Sequence, residues 1–214
     1  MNRSVLLAGA TGLIGRHCLN RLLADDDFCR VVVLTRRPVN QRHAKLVERV
    51  IDFERLADQA ELFDVDAVLC GLGTTLSQAG SKAAFEKVDY GYVAELATVA
   101  INQGVKSFLL ISAVGASPYS LAFYSRVKGR TEAMIRALPF PTVHILRPSL
   151  LLGDRDESRL MEDLVKPAAP LIAPFLWGPL ARYRPVDADK VAALMVELAK
   201  RDERGVHIHY PAIH

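Results

Sequence analysis

The strongest constraint on this chain is an alternation. Short runs rich in β-branched and aliphatic residues (Val5 to Ala8, Val31 to Thr35, Val47 to Ile51, Val65 to Cys70, Phe108 to Ser112 and Val143 to Leu146), nearly unbroken in all but Val47 to Ile51, are separated by longer stretches of helical periodicity. A strand without polar alternation is apolar on both faces, so both faces need cover, and intervening helices supply it. Ile14, Cys18, Leu19, Leu22 and Leu23 recur at helical spacing, as do Val88, Tyr92, Leu96 and Val99. A late helix is expected from about Asp187 through Leu198, then Gly205 and a last strand over Val206 to Tyr210. The pattern predicts an α/β fold, a three-layer doubly wound parallel sheet. At 214 residues the chain suits one such domain, 1–214. The strand pattern is nearly spent by residue 147, which leaves 149–186 for a small lid or substrate pocket.

The first run ends directly in Gly9-Ala-Thr11-Gly12-Leu13-Ile14-Gly15, and a helix opens there. Three glycines in a turn can serve backbone geometry alone. In a strand-to-helix turn at the start of the sheet, they also let backbone amides and the helix N-terminus face a pyrophosphate, which makes this a dinucleotide turn. The second strand closes on Thr35-Arg36-Arg37-Pro38, where an NAD site carries an acid for the ribose 2′-hydroxyl. Arginine there suits a 2′-phosphate, so NADPH is expected over NADH. Asp52 and Phe53 after the third run are placed to flank the adenine, and Gly71-Leu72-Gly73-Thr74 after the fourth lets backbone approach the cofactor again.

Tyr124 and Lys128 stand at i and i+4, one above the other on a helix face. An ammonium beside a phenol favours the phenolate and makes the tyrosine a usable proton donor. Ser112, at the end of the preceding strand, is the candidate anchor for a substrate carbonyl. Together with Arg147-Pro148, these residues resemble the short-chain dehydrogenase/reductase superfamily, whose fold is the NAD(P)-binding Rossmann fold. Phe85-Glu-Lys-Val-Asp89-Tyr-Gly-Tyr-Val93, Val127-Lys-Gly129 and the run from Leu146 to Ser158 resemble its atypical branch of HIV Tat-interacting oxidoreductases. The resemblance implies NADPH binding, tyrosine as general acid and base, lysine tuning it and holding the nicotinamide ribose, and Arg147 and Pro148 at the nicotinamide end. Asp89 stands where many members have an asparagine that orders a relay water, and Ala113 follows Ser112 where relatives often carry a second hydroxyl.

The composition narrows the classes. With 50% hydrophobic and 24% charged residues the chain folds rather than staying disordered, and its net charge of +3 is spread without a polybasic block, which argues against nucleic acid. Cys18, Cys29 and Cys70 are odd in number and lack Cys-x-x-Cys spacing, so neither disulfides nor a zinc site is expected. His207 and His209 share one strand face, but a metal needs a further ligand, and no metal is expected. The N-terminus lacks a signal-peptide pattern, and a cytoplasmic location is expected. Leu164 to Ala181 is apolar but broken by four prolines and Lys166, so no membrane span is expected. That stretch reads as a covering segment, a lid, or a surface for a protein partner. Two functions follow: an oxidoreductase reducing a small carbonyl compound, or an NADPH-sensing binding protein with little turnover. The oligomeric state is left open.

Overall fold

The computed structural model describes residues 2–152 and 178–213. Most of the expected partner surface over 164–181 and most of the expected lid over 149–186 lie outside the described residues. Among those described, the strands are β1 (Arg3–Ala8), β2 (Phe28–Thr35), β3 (Leu46–Val50), β4 (Ala67–Cys70), β5 (Ser107–Ile111), β6 (Thr142–Leu146), β7 (Leu151–Leu152), β8 (Val186–Asp187) and β9 (Gly205–His209). Seven of them form one parallel sheet in the order β3-β2-β1-β4-β5-β6-β9, while β7 and β8 pair separately. The chain runs outward from β1 to β3, then returns to place β4 on the other side of β1. That reversal is the switch point at which open α/β sheets hold their ligands.

The helices are α1 (Leu13–Ala24), α2 (Leu76–Ala79), α3 (Lys82–Glu86), α4 (Val93–Asn102), α5 (Phe123–Ala137) and α6 (Ala188–Ala199). Successive strand residues face opposite sides, so each apolar run feeds two cores. Val5, Leu7, Val31 and Val33 pack with Leu19 and Leu22 of α1 and Val191 and Met195 of α6. Leu6, Val32, Leu34 and Phe108 face Leu96 of α4 and Ile135 of α5. The continuous runs are thus those of a sheet covered on both sides.

The structure modifies one expected helix. The periodicity through Val88, Tyr92, Leu96 and Val99 is interrupted by a π-helical turn over Lys87–Tyr92 before α4 begins. A π turn takes up one extra residue, so the face presented before it is not the face presented after it. Asp89, within the turn, is buried, whereas the α4 residues Val93, Leu96 and Ala97 enter the core.

Gly129 fixes the approach to α5. A Cβ there would collide with the backbone of Ser117 and Pro118, in the loop that leads into the helix. At Gly91 a Cβ would meet nothing within 4 Å. Gly129→Ala is therefore expected to lose about 2 kcal/mol or more in urea denaturation through overpacking. Gly91→Ala, in the helical turn, is expected to gain about 0.5–1 kcal/mol in the same measurement.

Candidate active site

A cleft of about 1020 Å³ opens beside the C-terminal ends of β1, β2 and β4, lined by Gly9, Thr11, Gly12, Leu13, Arg36, Arg37, Phe53, Gly71, Leu72, Gly73 and Thr74. These expected cofactor residues are brought together. Gly9 takes φ +90°, and a Cβ on it would stand 2.5 Å from the Gly71 carbonyl carbon. A Cβ on Gly15 would strike the Gly9 carbonyl oxygen. Only glycine allows the strand ends and α1 to close so tightly. Gly12 caps α1 without a side-chain hydrogen bond, so the cap itself offers no side chain to the first-turn amides. Amides left this way, at the positive end of a helix and lining a cleft, fit a pyrophosphate. Thr35 Oγ1 donates to the Arg37 carbonyl at 2.7 Å and fixes the bend that carries both arginines.

Five expected residues do not line the cleft, Arg147 and Pro148 among them. Ile14 is buried in the core beside α6, Gly15 packs on Gly9, and Asp52 accepts from the Glu54 amide at 3.0 Å as the cap of the 3₁₀ segment Phe53–Phe63. That cap is what presents Phe53, whose ring sits 5.7 Å from that of Tyr92. The sequence reading missed Arg16, Val88 and Tyr92, which also line the cleft. Arg16 directly follows the last glycine, and that adjacency was the available signal for it.

Tyr124 and Lys128 lie on α5 as spaced. Tyr124 is 40% exposed, its ring tilted at 54° to Phe85 at 5.7 Å. Lys128 is buried, with Nζ 2.7 Å from Asp89 Oδ1. Burial pulls the ammonium down, but Asp89 and Tyr124 more than offset it and hold Lys128 above its ordinary value. Asp89 Oδ2 accepts from the Thr74 amide at 2.9 Å, and a Cβ on Gly73 would stand 3.5 Å from Lys128 Nζ. The Tyr124 helix therefore meets the cleft through the Gly73-Thr74 loop.

Ser112 is placed differently from the expectation of a free carbonyl anchor. It is 4% exposed, and its hydroxyl donates to Glu132 Oε1 at 2.5 Å. Glu132 is buried one turn beyond Lys128 on α5, and it also receives Arg147 through Nε at 2.9 Å and Nη2 at 2.5 Å. Arg147 Nη1 donates to the Tyr210 hydroxyl at 3.0 Å. The Glu132 carboxylate, against the pull of burial, holds the guanidinium well above its ordinary value. Arg147 thus braces α5 against β6 and the residue after β9, while the Pro148 carbonyl accepts from the Val114 amide at 2.8 Å. Glu132 sits at i+4 from Lys128, the signal by which sequence reasoning could have found it.

His207 and His209 face the buried His144 of β6. His144 Nδ1 lies 3.1 Å from His209 Nε2, and its ring stacks on His207 at 5.2 Å. Burial, with the two neighbouring imidazoles, lowers the His144 pKa to about 4, so this histidine is neutral. His207 Nε2 is directed at the Arg204 carbonyl instead, at 3.1 Å. Among the described residues no group of three or more such side chains could hold a metal ion.

Because Glu132 is the buried carboxylate that faces the half-buried Arg147 guanidinium, Glu132→Ala is expected to cost about 2–3 kcal/mol by thermal or chemical denaturation. Asp189→Ala, which breaks a half-exposed pair with Arg21, is expected to cost under about 1 kcal/mol.

The family model described as NAD(P)H-binding matches residues 9–173. The chain is 37% identical to Protein HTATIP2 of Rattus norvegicus over 77% of its own length and 69% of the relative's. It is 38% identical to Protein FMP52-1, mitochondrial, of Scheffersomyces stipitis, over 73% and 70%. Among solved structures, UDP-glucuronic acid 4-epimerase from Bacillus cereus, in complex with UDP-glucuronic acid and NAD, superposes with a TM-score of 0.74 at 16% identity, over 97% of this chain and 77% of that one. MoeE5 in complex with UDP-glucose and NAD gives 0.73 at 17% identity, over 96% and 74%. At such identity the likeness is one of fold. The expected cytoplasmic location is corrected by the fungal relatives, which are named mitochondrial. The lack of a signal-peptide pattern speaks only to the secretory route and is silent on organelle import. No helix among the described residues is long and apolar enough to cross a membrane. The glycine cradle and its amides fit a dinucleotide, and the match over residues 9–173 makes the chain a member of the NAD(P)H-binding family.

Proposed function

We propose that this protein is an NADPH-dependent oxidoreductase of the short-chain dehydrogenase/reductase type that reduces a small carbonyl compound. The observation that carries the reading is the junction of two features. Lys128, buried beneath the Gly73-Thr74 loop of the cofactor cleft, lies one helical turn from the half-exposed phenol of Tyr124. Bound NADPH supplies the hydride. Tyr124 supplies the proton to the carbonyl oxygen, and the Lys128 ammonium, kept charged by Asp89, steadies the phenol and holds the cofactor ribose. Arg36 and Arg37, with Arg16 opposite on α1, give the adenosine end a cationic lining suited to a 2′-phosphate. The fungal relatives' names favour a mitochondrial setting.

Ser112 anchors the carbonyl in this reading only by turning its hydroxyl away from Glu132. Its bond to that carboxylate favours a second reading, in which the protein binds NADPH as a sensor and turns over little. One assay separates them. A panel of small aldehydes and ketones is screened for NADPH oxidation with the wild type and Tyr124→Phe. Tyr124→Phe is expected to lose about 10²-fold or more in kcat. Full turnover in the variant sinks the assigned acid, and no turnover of any carbonyl by the wild type favours the sensor.

Cofactor choice is read by titration. Arg36→Ala and Arg37→Ala are each expected to weaken NADPH on the order of tenfold, with NADH nearly unchanged. A wild-type preference for NADH refutes the 2′-phosphate assignment.

A further inference from the structure

We infer that Asp89 sets which redox state of the cofactor the protein prefers to hold, by cancelling the charge of Lys128 beneath the nicotinamide end of the cleft. This rests on the proposed reading of the cleft as an NADPH site. The sheet order orients the ligand. Arg36, Arg37 and Phe53 follow β2 and β3, the glycine turn follows β1, and the Gly71–Thr74 loop follows β4 on the side of β5. With its phosphates at the glycine turn and its adenosine at the arginines, a dinucleotide directs its redox-active ring past β4. Asp89 and Lys128 lie on that side, directly under Gly73.

The two cofactor forms differ there by one charge, since the oxidised nicotinamide ring is a cation and the reduced ring is neutral. An uncompensated buried ammonium repels only the oxidised form. Asp89 is fully buried, 2.7 Å from Lys128 Nζ, and removes that repulsion. Other charged groups nearby do not substitute for it. Glu132 is committed to Arg147 and Ser112. Cys70, at the end of β4, is a neutral thiol that burial pushes up to about 12. An asparagine in this place would satisfy the Thr74 amide equally well, so the hydrogen bond alone does not call for a carboxylate. The carboxylate adds charge.

The test needs no substrate, so it stands apart from whether any carbonyl is reduced. Dissociation constants for NADPH and NADP⁺ are measured by calorimetry on the wild type, Asp89→Asn, Lys128→Met and the double variant. In Asp89→Asn the ratio is expected to move toward NADPH on the order of tenfold, the effect of one unpaired charge at intermediate dielectric. Removing both charges in the double variant is expected to return it to near the wild-type value. Equal weakening of both forms in Asp89→Asn would mean that Asp89 only pins the Thr74 loop, and overturns the inference. Should Asp89→Asn not fold, Lys128→Met carries the test. A ratio moved toward NADP⁺ supports the inference, and a ratio held or moved toward NADPH overturns it.

Discussion

Everything in this molecule's cleft depends on how closely three backbone segments approach at one point. Gly9 ends β1 in a left-handed conformation against the Gly71 carbonyl, and Gly15 of α1 lies against the Gly9 carbonyl oxygen. The strand pairing brings this about, because Ala8 and Cys70 are direct partners in the β1–β4 ladder and their successors leave the sheet side by side. With no side chain at these positions, the space above them belongs to the backbone amides. A side chain at Gly9 or Gly15 would push β4 or α1 away, and the cleft would lose its floor before any polar contact was in question.

Much of this was legible in the sequence for a physical reason. A parallel sheet covered on both faces needs unbroken apolar strands, so Val5 to Ala8 and Val31 to Thr35 announce both the strands and their depth. The glycine spacing and the Arg36-Arg37 step sit beside these strands, where short-range reasoning works. What escaped was set by tertiary packing. Nothing in the local sequence tells that the Ser112 hydroxyl donates a hydrogen bond to a carboxylate twenty positions later, or that Arg147 turns to Glu132 and Tyr210 rather than to the cleft. Those partners are distant in the chain. Asp52, expected with Phe53 beside the adenine, also caps the helical turn that follows it, since an acid just before a helix accepts from its first amides.

The two ends of the site differ in electrostatic character. At the end of the cleft beside β2, the guanidinium groups of Arg16, Arg36 and Arg37 line open space. Toward β5 the ions are matched, Lys128 with Asp89 in full burial and the half-buried Arg147 with the buried Glu132. Buried charges persist only when partnered, whereas exposed ones are stabilised by solvent. Charge therefore steers and holds at one end, and is neutralised where the proposed chemistry takes place.

The π turn over Lys87–Tyr92 gives this division a narrow origin. One additional residue in the helical ladder puts the chain before and after it out of phase, so one continuous segment serves the cleft with Asp89 and the core with Val93 and Leu96. A helix of regular pitch through the same stretch would seal the core equally well and carry the acid off to another side. For a chain of this fold, acquiring or losing a counter-ion in the site is then a question of inserting or deleting one codon, with Val93 and Leu96 kept in the core and the buried Phe85, one turn before Asp89, shifted with the acid.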